Sequence, residues 1–188
     1  MRYRPVDVLV GAAIALTALL GWRRIRAHLA VGATAPAFAL EAAKGGVVET
    51  IALRDALADG PVVLYFYPKS FSADCTVEAY LFSQHAAEFE FLGVTVIGVS
   101  GDDIAMQRAF STQECRSAFW VASDPGLRVA KEYDAALIGF ANRTSYVIAP
   151  DGAIAASLQS FDASSHVEHA LAVLRELVKP ALAPGSAG

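Results

Sequence analysis

Cysteine is scarce in this chain: two in 188 residues. Two cannot staple a disulfide-dependent scaffold, and an all-cysteine zinc site needs four ligands. There is no C-x-x-C pair, since Cys75 is followed by Thr76, Val77 and Glu78. Basic charge is also short. The formal net charge is −4 at pH 7, so the overall balance carries no electrostatic footprint for nucleic acid. Charged residues make up only 18% of the chain against 55% hydrophobic. That argues against disorder and for a well-filled core. No internal repeat is visible, and the length suits one domain plus an extension.

The extension is N-terminal. Residues 8–22, "VLVGAAIALTALLGW", run without a charge and are bracketed by Arg2, Arg4, Arg23, Arg24 and Arg26. The run is shorter than the roughly 20 residues of a spanning helix, but flanking Trp22 and Arg23 can extend its reach by snorkelling. A cleaved signal peptide wants a small-residue site close behind, and the nearest, "ATA" at 33–35, is distant. Residues 1–30 therefore read as an uncleaved N-terminal helix that anchors the chain in a membrane, with an exported chain as the alternative. The three arginines behind the run slightly favour a C-terminal domain that faces the cytoplasm.

A domain over residues 31–179 follows, with a short tail at 180–188. "PVVLYFYP" (61–68) is a continuous β-branched and aromatic run closed by proline, the pattern of a buried central strand. Ala79, Phe82, Ala86 and Phe89 recur at helical spacing, which predicts one helix over 76–91. "GVTVIGVS" (93–100) is a second buried strand, and Asp102 and Asp103 read as caps of a helix reaching about Glu114. A short strand, a short helix and a hairpin turning at "PDG" come next. Ser165 and Glu168 form a capping box for a last helix that Pro180 ends. Strands alternating with helices and closing on a hairpin imply a mixed central sheet with helices on both faces. The order is compatible with a thioredoxin-like α/β fold.

Cys75 stands where a strand and loop meet a helix. A free cysteine usually behaves as a small buried hydrophobe. Against that, helix N-termini favour thiolates, the neighbours "SFSAD" are largely polar, and Pro68 and Ser72 are spaced to stiffen the loop and bring a hydroxyl near the sulfur. Asp74 disfavours a thiolate. These local features leave both readings open. His166 and His169, three apart on the last helix, read as solvated residues, since two histidines without a third ligand make a poor metal site. His85 lies ten residues past Cys75, too far along its helix to pair with it, so a cysteine hydrolase is poorly supported.

Pro68, Ser72 and Cys75 form P-x-x-x-S-x-x-C, which resembles the peroxiredoxin active-site pattern P-x-x-x-(T/S)-x-x-C. "FYPKSFSADCTVEA" is most similar to the peroxiredoxin Q, or bacterioferritin comigratory protein, branch. "GATAPAFAL", "DPGLRVAKEYD" and "NRTSYVIAPDG" agree, so the resemblance runs from about Val31 to Leu177. It implies a thioredoxin fold and a thiol-dependent peroxidase with Cys75 as the peroxidatic residue. It further implies that Ser72 and nearby backbone N–H groups hold the peroxide, that Arg143 stabilises charge, that Pro68 shields the site and that Glu78 orients the arginine. Hydrogen peroxide and organic hydroperoxides are the implied substrates, with thioredoxin or a glutaredoxin-like dithiol as reductant. No metal, haem or flavin cofactor is implied. A monomer or weak homodimer is expected.

The chain departs from the branch in two places. "SADC" stands where "TPGC" is usual, keeping the hydroxyl but losing proline and glycine, so a slower reaction is expected. Tyr80 stands where many members carry a second cysteine, five residues after the first. The remaining thiol, Cys115, is the possible resolving residue. Its pairing with Cys75 requires the two Cα atoms within about 7 Å, hence local unwinding. The alternatives are an idle Cys115 with an external thiol as resolver, or a membrane-tethered thioredoxin-fold interaction domain with little or no peroxidase activity.

Overall fold

The computed structural model describes residues 28–182, with side chains through Val178. Residues 1–27, and with them the proposed membrane helix, lie outside the described residues. Among the described residues no helix is long and apolar enough to cross a membrane.

Among the described residues, nine strands and six helices build the domain. In chain order they are β1 (Ala39–Lys44), β2 (Val47–Ala52), α1 (Leu53–Asp59), β3 (Val62–Phe66), α2 (Ala73–Gln84), α3 (Ala86–Phe91), β4 (Thr95–Ser100), α4 (Ile104–Gln113), β5 (Trp120–Ser123), α5 (Arg128–Glu132), β6 (Ala136–Leu137), β7 (Phe140–Ala141), β8 (Thr144–Ile148), β9 (Ile154–Gln159) and α6 (Ala163–Leu182). Seven strands form one sheet in the order β2-β1-β5-β4-β3-β8-β9, and β6 pairs only with β7. β4 is parallel to both β3 and β5, while the other pairings in the large sheet are antiparallel.

β3 lies inside this sheet, and every one of its residues is buried. That is why its sequence is an unbroken apolar run rather than an alternating one. Alternation appears instead in which core each side chain joins. Val63 and Tyr65 pack with Ala79 and Phe82 of α2, Phe89 of α3, Phe110 of α4 and Leu171 of α6. Val62, Leu64 and Phe66 pack with Leu53 of α1 and Val129 of α5. Helices thus cover both faces of a mixed sheet. Gly98 makes room for the first core: a Cβ there would sit 2.7 Å from the Tyr65 ring.

The helices differ in detail from their sequence reading. The run 76–91 is two helices, because the backbone leaves helical geometry at His85 (φ −99°, ψ 8°). The first of them begins three residues early, at Ala73, so Cys75 lies within its opening turn. α6 also starts early. Asp162, not Ser165, accepts the Ser164 and Ser165 amides through its carboxylate (3.3 and 3.2 Å). It continues through Pro180 to Leu182 instead of stopping there, since proline's fixed φ is helical and one lost N–H bond in the last turns is tolerable. His166 is buried, not solvated. Its ring lies 2.8 Å from the Ser145 hydroxyl and 3.1 Å from the Ser160 carbonyl. Burial pulls its pKa below the usual histidine value.

Candidate active site

β3 delivers the chain to the site. Its extended path continues one residue, with the Tyr67 amide donating to the Val99 carbonyl (3.0 Å). Half-buried Pro68 then opens a loop that ends at Ser72, the N-cap of α2. The first α-helical bond of α2 runs from Thr76 N–H to the Ser72 carbonyl (2.9 Å). The amides of Ala73, Asp74 and Cys75 therefore have no acceptor within the helix, and the Ser72 side chain does not cap them. Its hydroxyl donates to the Lys69 carbonyl instead (3.0 Å). With its proton held there, the Ser72 oxygen is left as an acceptor. Cys75 is 2% exposed.

Sheet register brings in the arginine. Phe66 of β3 stands opposite Thr144 of β8, so the residue just before β8 falls beside the chain leaving β3. That residue is Arg143, which is buried. Its Nη2 lies 3.5 Å from Cys75 Sγ, and its Nη1 donates to Glu78 Oε2. Glu78 is fully buried and one helical turn past Cys75, hence on the same face of α2. The planar guanidinium fork holds carboxyl and sulfur at once, which an ammonium could not do in the same geometry. Burial pushes the Glu78 carboxyl up to about 8, against the opposing pull of Arg143.

Side chains outside the predicted site hold the loop. The Ser70 amide donates to Asp102 Oδ2 (2.6 Å), which also accepts from Ser100 Oγ (2.8 Å). Tyr67 donates to Gln107 Oε1 (2.6 Å), and Gln107 Nε2 donates to Ser100 Oγ (2.8 Å) and the Ala122 carbonyl (3.1 Å). The sequence reads Asp102 as a helix cap. The structure gives that role to Asp103 alone, whose carboxylate accepts the Met106 amide, and makes Asp102 an anchor of the loop. Gln107 carries one usable signal: it is a polar residue one turn before Phe110, on what becomes the buried stripe of α4.

A sulfur and a cation thus lie together at a helix mouth whose first three amides have no acceptor within the helix and whose N-cap residue offers a hydroxyl oxygen. The arrangement suits attack by sulfur on an electrophile that expels an anion. A family model described as the AhpC/TSA family matches residues 31–157, well over half of the chain. The chain belongs to the AhpC/TSA family. Within it, the similarity is to peroxiredoxin Q proteins. The chloroplastic peroxiredoxin Q of Oryza sativa subsp. japonica is 32% identical over 150 residues, spanning 78% of this chain and 67% of that protein. The chloroplastic peroxiredoxin Q of Sedum lineare is 30% identical over 157 residues, 81% of this chain and 82% of that one. Among solved structures, Peroxidoxin BcpB from Mycobacterium tuberculosis superposes with a TM-score of 0.72 at 31% identity, covering 80% of this chain and 99% of that chain.

Of the residues predicted for the AhpC/TSA site, the structure joins Cys75, Glu78 and Arg143 directly, and Pro68 and Ser72 form the loop beside them. Cys115 is not part of this group. It lies two residues beyond α4, fully buried, and both cysteines are free thiols. Both belong to one apolar cluster with Tyr65, Tyr67 and Phe82. Burial, reinforced by Glu114, pushes the Cys115 thiol far above its ordinary value. In the folded form Cys115 is therefore a protonated, shielded thiol.

Proposed function

We propose that this chain reduces hydrogen peroxide and organic hydroperoxides through Cys75, that Cys115 resolves the oxidised product and that a thioredoxin-like dithiol completes the cycle. Thiol-dependent peroxidase activity follows from membership of the peroxiredoxin family. The observation that carries the site assignment is the Arg143 guanidinium, 3.5 Å from the Cys75 sulfur and paired behind to Glu78.

The Cys75 thiolate attacks one peroxide oxygen, an S–O bond forms and the O–O bond breaks. The leaving oxygen departs as an alkoxide or hydroxide, is stabilised by Arg143 and the α2 amides, and takes a proton from solvent. Cys75 is left as a sulfenic acid. The Cys115 sulfur then attacks Cys75, a disulfide forms and water leaves. A dithiol reduces that disulfide by thiol–disulfide exchange. Support for Cys115 is its place in the same apolar cluster and the absence of any other cysteine in the sequence. Residues 8–22 supply the proposed membrane tether, with the catalytic domain on the cytoplasmic side, and the working unit is a monomer or weak homodimer. A tethered interaction domain without peroxidase activity is not favoured, because the site residues stand assembled.

Peroxide consumption by purified protein with a dithiol reductant tests this reading. Wild type is expected to turn over and Cys75→Ser to be inert. Equal consumption by the two proteins would sink it.

A further inference from the structure

Two residues outside the reacting centre strap the Cys75 and Cys115 elements together on their exposed side. The guanidinium carbon of Arg116 lies 4.7 Å from the centroid of the Tyr80 ring. Tyr80 is on α2, five residues after Cys75, and Arg116 directly follows Cys115. The contact therefore joins the helix that carries one thiol to the turn that carries the other. Both side chains are exposed.

The turn beneath the strap is strained. Arg116 and Ser117 have left-handed backbones, with φ of 53° and 61°, a conformation that side chains other than glycine disfavour. Three backbone bonds close it: Cys115 N–H to the Phe110 carbonyl (3.1 Å), Ser117 N–H to the Ser111 carbonyl (2.8 Å) and Ala118 N–H to the Cys115 carbonyl (3.0 Å). On its inner side Cys115 is packed in the cluster that includes Phe110 and Phe119. For Cys115 to attack Cys75 it must leave that packing, and this turn is what unwinds. Release relieves the left-handed pair, while the ring and the guanidinium resist it.

We propose that the Tyr80–Arg116 contact is a latch that sets how fast Cys115 reaches oxidised Cys75, which makes both residues positioning residues for the resolving step. The inference rests on Cys115 being the resolving thiol. Two reactions compete for the sulfenic acid of Cys75. In one, the Cys115 thiol condenses with it, forming the S–S bond and releasing water. In the other, a second peroxide adds an oxygen, giving sulfinic acid and water or alcohol. A closed latch lengthens the life of the sulfenic acid and shifts the partition toward the second. The residue that occupies the position of the usual second cysteine thus governs access for the one that replaces it.

The test compares wild type with Tyr80→Leu, Tyr80→Phe, Arg116→Gln and the double variant Tyr80→Leu/Arg116→Gln. Each is mixed with one equivalent of hydrogen peroxide, quenched by alkylation at set times and weighed intact. An exposed cation–π contact corresponds to a factor of about two to five. Tyr80→Leu and Arg116→Gln should each form the intramolecular disulfide about two- to fivefold faster than wild type. Each should also need correspondingly more peroxide to become half sulfinic. Leucine keeps helix propensity, and Tyr80→Phe keeps the ring and should keep the wild-type rate. The double variant should be no faster than the faster single one, because one contact is lost in each. Loss of the Cys75 thiol, the first step, should proceed equally in all. If the disulfide forms at one rate in every protein, the latch is refuted while the resolving role of Cys115 stands. A wild type that forms no intramolecular disulfide refutes both.

Discussion

Arg143 Nη2 lies 3.5 Å from Cys75 Sγ across 68 positions of sequence. Removing that cation should slow the peroxide step more than any change to the loop. Loss of one well-placed donor to a developing oxyanion typically costs about 10²–10³ in rate. Arg143→Leu is expected to lose about that much in the second-order rate of Cys75 oxidation, read by stopped-flow fluorescence. Arg143→Lys should recover only part of it, because an ammonium keeps the charge but not the fork that reaches Glu78 and sulfur together. Full recovery in the lysine variant would show that geometry does not matter here.

The Glu78 carboxyl makes stability depend on pH in a definite direction. Its folded value is raised by burial from 4.5 to about 8, with Arg143 opposing. Between those values the unfolded chain has released the proton and the folded chain still holds it. Stability from this group is therefore present at low pH and lost as pH rises toward about 8. Glu78→Gln cannot titrate. The difference in unfolding free energy, wild type minus Glu78→Gln, should fall steadily from pH 5 to pH 8 in urea titrations. A difference that stays flat over this window would mean that the folded carboxyl, like the unfolded one, is already ionised there, as an ion pair with Arg143.

The anchor of the active-site loop is open to a simple stability test. Tyr67→Phe removes the donor to Gln107 Oε1 in a fully buried setting. Gln107 Oε1 then keeps only the long hydrogen bond from the Ser70 hydroxyl (3.5 Å), and a buried acceptor so weakly paired costs about 1–3 kcal/mol. A loss of that size in chemical denaturation is expected, together with faster hydrogen exchange at the Ser70 amide. No change in either would remove the network from the account of the site.

Gly98 offers a check on the core that both thiols share. A methyl group there would meet the Tyr65 ring at 2.7 Å, and that ring stacks on Phe82 with centroids 4.5 Å apart. Overpacking of this kind costs about 1–3 kcal/mol. Gly98→Ala should lose about that much in thermal or urea unfolding, and an unaltered midpoint would mean that Tyr65 has another place to go.

The fold was legible where local pattern and burial agree. β3 is an apolar run because both its faces are covered, and the hairpin at "PDG" carries its own turn chemistry. The division at His85 was not legible, since Phe82 and Phe89 keep their apolar spacing across it and pack in one cluster. α1 and the small β6–β7 hairpin also went unread. In the site, the Pro68–Ser72–Cys75 motif pointed to Cys75 as the candidate nucleophile, but only the family resemblance, not local character, pointed to Arg143, whose position depends on the distant register between β3 and β8. The burial of His166, the Asp102 anchor and the Tyr80–Arg116 contact are tertiary facts. Each depends on where a loop or turn folds back, and no short-range spacing encodes that.

The central claim is that Cys75 takes the oxygen and Cys115 returns the site to a closed cycle. Intact mass after one equivalent of hydrogen peroxide tests it most directly, on wild type, Cys75→Ser and Cys115→Ser. The account predicts that wild type loses the mass of two hydrogens and stays monomeric in covalent terms. Cys115→Ser should gain one oxygen, and Cys75→Ser should be unchanged. A wild type that gains oxygen as Cys115→Ser does, with no loss of hydrogens, would contradict it.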